Sequence, residues 1–142
     1  MINLLISLFI WMQNPVMMPQ TGSINLTIHR IDSNQGLIRI LVFSSSEGFP
    51  EDPNQAITSL SIPIKNGKAS TQIKDLPKGK YAISVFHDQD ENGELKKNSL
   101  GFPKEKYGFS NNPTNKFSIP EFERCAVSIS GDQVKKVDIK LR

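Results

Sequence analysis

At 142 residues, with 37% apolar and 22% charged residues, the chain has the composition of one soluble globular domain large enough to bury its own core. Its 17 basic and 14 acidic residues are scattered, with no Lys/Arg run and no base-stacking aromatic ladder, so composition gives no support to nucleic-acid binding. A single cysteine, Cys125, excludes an internal disulfide and reads as a buried, inert thiol at the start of a strand.

No charged residue falls in the first twenty, MINLLISLFIWMQNPVMMPQ. The apolar run Leu4–Met12 is too short for the about 20 residues that a helix needs to span a bilayer, so no stable transmembrane span is expected. It matches the apolar region of an export signal, although no Lys or Arg precedes it and no small-residue cleavage motif follows. Residues 1–20 are therefore expected to be a removable export segment, and 21–142 a single domain that works in the periplasm or outside the cell.

Beyond it the apolar residues recur with period two, the signature of half-buried strands. Ser23–Ile31 alternates Ile24, Leu26 and Ile28 with polar residues. Gly36–Ser44 is apolar on both faces except at Arg39, as a central strand would be. Ile57–Lys65 places Leu60, Ile62 and Ile64 on one side, and Asn66-Gly67 follows as a hairpin signal. Lys68–Lys74 returns, Leu76-Pro77-Lys78-Gly79 turns, and Lys80–His87 directs Tyr81, Ile83 and Val85 inward. Cys125–Ser130 and Val134–Leu141 read as a last pair around Gly131-Asp132. Seven strands with turns at these intervals predict an all-β, antiparallel sandwich of prealbumin-like or immunoglobulin-like type, with one long loop after the fifth strand. Helical periodicity is absent apart from single turns near Pro53–Ile57 and Pro103–Tyr107. Two longer loops remain, Ser45–Ala56 and Asp88–Arg124, and the second is long enough to suggest a function.

That loop opens on Asp88-Gln89-Asp90-Glu91-Asn92-Gly93, the first half of a calcium loop. Calcium takes six to eight oxygen ligands, and alternate residues of a tight loop can turn theirs inward. Asp88, Asp90 and Asn92 would offer side-chain oxygens and Glu94 its carbonyl, with Leu95 packed into the core. An EF-hand would require Glu where Ser99 stands, and Lys96 places a cation at the ninth position, so weak binding or a plain polar turn are the two readings. His29 and His87 are the only candidate bases. His87 beside Asp88 offers the one arrangement from which a hydrolase could be built, but no nucleophile pairs with it. Downstream, Leu100–Asn112 interleaves Phe102, Tyr107 and Phe109 with glycines, Asn111 and Asn112. Such a segment suits stacking on a sugar or peptide, and the same aromatics can pin the loop to the sandwich.

The blocks Ile38–Phe43, Glu47–Pro50, Asp75–Asp88, Leu100–Pro103 and Gly108–Asn112 together resemble an uncharacterised bacterial family, the domain of unknown function 2141, over about residues 23–142. The resemblance implies an exported sandwich without assigned activity, and Leu76–Tyr81 resembles a turn of prealbumin-like sandwiches. In that family an acid usually stands where this chain has Lys96. The expectation is an exported binding or structural module, with calcium as its cofactor. Its ligand-binding residues would be His87, Phe102, Tyr107, Phe109, Asn111 and Asn112, and its partner a small molecule, a glycan or an envelope protein. The alternative is a prealbumin-like hydrolase using His87 and Asp88.

Overall fold

The computed structural model describes residues 14–114 and 118–142. Most of the expected export segment (residues 1–13) lies outside the described residues, as do 115–117. The described residues form a two-sheet sandwich of eight strands: β1 (Thr21–His29), β2 (Leu37–Phe43), β3 (Thr58–Pro63), β4 (Ala69–Pro77), β5 (Gly79–Asp88), β6 (Tyr107–Phe109), β7 (Val127–Ile129) and β8 (Val134–Lys140). One helical turn, α1 (Phe122–Cys125), precedes β7. No described helix is long and apolar enough to cross a membrane.

The smaller sheet has the order β4-β1-β8; the larger runs β3-β2-β5-β6, with β7 also paired to β5. Ile24, Leu26 and Ile28 of β1 and Ile38, Ile40 and Val42 of β2 are wholly or almost wholly buried between the sheets, joined by Tyr81, Ile83 and Val85 of β5. Period-two alternation therefore does assign the core faces. The Tyr81 hydroxyl donates to the Pro77 carbonyl at 2.6 Å and holds the β4–β5 turn closed.

The pairing of the strands departs from the expectation in three places. The sandwich is not wholly antiparallel, because β8 runs parallel to β1, Ser23 standing opposite Val134. The last two strands do not pair with each other: β7 joins β5 and β8 joins β1, so Gly131-Asp132 carries the chain from one sheet to the other. Asn66 and Gly67 do form a positive-φ turn, yet β3 and β4 belong to different sheets and only Lys65 and Lys68 bridge across it. An eighth strand, β6, falls inside the long loop, and the helical turn lies at Phe122–Cys125 rather than near Pro53 or Pro103.

A second apolar cluster sits on the outer face of the larger sheet. Phe43, Ala82, Phe109, Phe122 and Cys125 are buried there, and Phe49 packs edge-on against Phe43 and Phe122 at 5.4 and 5.9 Å between ring centres. Burial pushes the Cys125 thiol up to about 11. The thiolate, which is the reactive form, is then scarce near neutrality. A thiol-specific reagent is expected to leave the native protein untouched at pH 8 and to label it at once in denaturant. Rapid labelling of the native state would show that α1 opens readily.

Candidate functional site

What the second cluster leaves uncovered of that outer face is a groove of about 630 Å³. Its floor follows from strand register. Ser61, Arg39, Phe86 and Tyr107 stand opposite one another across β3, β2, β5 and β6, and Ser59, Leu41, Ser84 and Phe109 form the next row. One wall is the Ser44–Ile57 connection, through Pro50, Glu51 and Pro53; the other is the loop after β5, through Glu94, Leu95, Lys97 and Phe102. The two long loops meet here, since the Lys97 ammonium donates to both carboxylate oxygens of Glu51 at 2.8 and 2.9 Å.

Phe102 owes its position to a small hairpin that the sequence did not announce. The Lys104 amide donates to the Lys96 carbonyl at 2.7 Å, and the Asn98 side-chain oxygen accepts from the amides of Leu100 and Phe102. The hairpin carries Leu100 and Phe102 outward, 80% and 51% exposed, with Phe102 at the rim of the groove.

Beside this wall lies the acidic loop. Asp88 ends β5 on the outer face, wholly buried, diagonal to Arg39 across the β2–β5 pair. Arg39 Nε donates to Asp88 Oδ2 at 2.8 Å. The amides of Asn92 and Gly93 donate to Oδ1 and Oδ2 at 3.1 and 2.8 Å, and Glu91 and Gly93 take positive φ to bring them there. The Asn92 side chain accepts from the Glu94 amide, and Glu94 itself is exposed. The carboxylates that converge are Asp88, Asp90 and Glu105, whose nearest oxygens lie within 4.8 Å of one another. Lys96 stands among them, bonded to Asp90. That hydrogen bond holds the Asp90 carboxyl below its ordinary range and raises the lysine in turn. Leu95 is half-buried in the groove wall rather than in the core.

Of the expected ligand-binding residues, Phe102, Tyr107 and Phe109 line the groove. His87, Asn111 and Asn112 lie away from it. His87 faces the inner side, 2% exposed, its Nε2 donating to the Gln35 carbonyl at 2.7 Å. Consecutive residues of a strand point to opposite faces, so Asp88 cannot orient the His87 ring. Asn111 donates to the Ala126 carbonyl at 2.8 Å, and Asn112 bonds the backbone of Asp138 and Lys140. Buried Ser110 takes the Ile83 amide at 2.9 Å and donates to the Cys125 carbonyl at 2.5 Å. The Ser110-Asn111-Asn112 stretch therefore rivets β6 to its neighbours.

The chain matches, over residues 26–137, the family model described as an uncharacterized protein conserved in bacteria (DUF2141). No curated protein matches it. Among solved structures, a mutant form of the pilus-presented adhesin Spy0125 (Cpa) aligns at 14% identity and a TM-score of 0.24, covering 89% of this chain and 28% of the adhesin.

Proposed function

The chain belongs to DUF2141, an uncharacterised bacterial family, and we propose that it is an exported binding module whose ligand occupies the groove on the larger sheet. The observation that carries this reading is the groove itself: an aromatic-walled concavity of about 630 Å³, in the range of small-molecule sites. A hydrolase centred on His87 and Asp88 has less to support it, since the two face opposite sides of the sheet and both are engaged structurally. The test is a titration of isotope-labelled protein with a fragment library, followed by amide resonances. Shifts should concentrate at Leu41, Phe86, Leu95 and Gly101. Shifts confined to the β4-β1-β8 face, or none, would remove the proposal.

Calcium enters this reading as a competitor of Lys96 for Asp88, Asp90 and Glu105. A site with a dissociation constant of about 0.1 mM would add about 1.8 kcal/mol at about 2 mM calcium, a rise of about 5–9 °C for a domain of this size. The lysine already pairs with Asp90 and offsets part of the cluster's charge, so wild type is expected to respond less than Lys96→Ala. Equal melting curves in chelator and in calcium for both proteins would end the calcium proposal.

A further inference from the structure

We infer that the groove takes an uncharged, mainly apolar small molecule with one hydrogen-bond acceptor at its Arg39 end, an inference that rests on the groove being the binding site. Charge is the first argument. Among the described residues four charged side chains line the groove, and three of them are already committed: Arg39 to buried Asp88, and Lys97 to Glu51. The fourth, Glu94, is an exposed carboxylate on the wall. Among the described residues an anionic ligand would find no uncommitted cation there and one repelling charge. A cationic ligand would find one uncommitted carboxylate, Glu94, which is exposed, so that solvent weakens the attraction.

Hydrogen-bonding capacity is the second argument. The Ser84 hydroxyl donates to the Pro50 carbonyl at 2.7 Å, and the Ser61 hydroxyl accepts from Arg39 Nη1 at 2.7 Å. A sugar presents a hydroxyl on almost every carbon, more than the few polar groups of this largely apolar floor can pair, and each one buried without a partner is costly. The guanidinium has five donor hydrogens in a planar fork. With Nε and one hydrogen of Nη1 engaged, Nη2 is the guanidinium nitrogen that keeps both of its hydrogens for a ligand at one end of the floor.

The surface left over is apolar. Leu41, Phe86 and Tyr107 line the floor, Leu95 the wall, and Phe102 and Ile119 the mouth. The last two are 51% and 61% exposed. Large apolar side chains gathered in the open around a concavity mark a contact surface. Aromatic faces of this kind stack on a planar or ring-bearing ligand.

Nile red, uncharged and planar with a ring carbonyl, is the probe. Saturable fluorescence enhancement with one site per chain is expected, in the micromolar range. Phe102→Ala, at the exposed hairpin tip, should weaken it by about tenfold or more. Ser59→Trp, which fills the floor from an exposed position of β3, should abolish it while the thermal melt is preserved. An anionic naphthalene sulfonate should bind at least about tenfold more weakly than Nile red. Nile red binding that survives both substitutions, or tighter binding of the sulfonate, overturns the inference. If Nile red fails while chitohexaose shifts the resonances of Leu41 and Phe86, the groove is a glycan site; the inference falls and the binding-module reading stands. If neither probe moves those resonances, both fall.

Discussion

Replacing Asp88 by alanine is expected to lower stability by about 3 kcal/mol or more, the range for removing one partner of a buried ion pair. Asp88 is wholly buried and accepts three hydrogen bonds, from Arg39 Nε and the amides of Asn92 and Gly93. Alanine leaves all three donors without a partner. Arg39 keeps about a quarter of its side chain in water, so it recovers some solvation and the loss should sit near the lower end. Asp88→Asn retains an acceptor oxygen and should lose less. Denaturant titration orders the three proteins. Hydrogen exchange gives the local readout: the Asn92 and Gly93 amides should exchange faster in Asp88→Ala, while Ile24 and Ile40 change only with global stability. An unfolding midpoint equal to wild type would mean that the acidic loop contributes nothing to the fold.

Phe43→Ala is the second large effect, about 3–5 kcal/mol for deleting a fully buried phenyl ring. Phe43 lies outside the intersheet core, in the cluster on the outer face, where Phe49 stands on it edge to face. The cavity would open beneath the Ser44–Ile57 connection, whose Pro50 and Glu51 are also a wall of the groove. Stability and ligand affinity should therefore fall together, although Phe43 itself does not line the groove. A loss under about 1 kcal/mol would show that the connection collapses into the space. Unchanged affinity in a strongly destabilised variant would show that the wall is held by Lys97 and Glu51 instead.

The strand pattern was legible because burial has a period of two and each core residue repeats it locally: Ile24, Leu26 and Ile28, or Tyr81, Ile83 and Val85. What sequence does not carry is which sheet receives a strand. Asn66-Gly67 specifies a turn, but the same positive φ values serve a tight hairpin and a crossing between layers. Strand β6 escaped notice because three residues with a central glycine have too little alternation to register. The aromatics Phe102, Tyr107 and Phe109 were visible as a loop of unusual composition, whereas the floor they face is assembled from β2, β3 and β5 by register alone. Glu105 joins Asp88 and Asp90 only through the hairpin that brings the loop back on itself. One residue does announce the site in the sequence: Arg39, the single charge in an otherwise apolar central strand, requires a counter-charge, and Asp88 supplies it.

The parallel pairing of β1 with β8 has a consequence for when the domain can form. β1 is the middle strand of its sheet, and its partner on one side is the last of the described strands. A chain emerging residue by residue from a ribosome cannot complete the smaller sheet until Val134–Lys140 is free. Pairings of such high sequence separation also form slowly, since the intervening chain must first be brought together. Completion of the sheet is thus deferred until that strand has been made. Until that strand is available, the β1 edge that it covers stays open and the smaller sheet is only the β4-β1 pair.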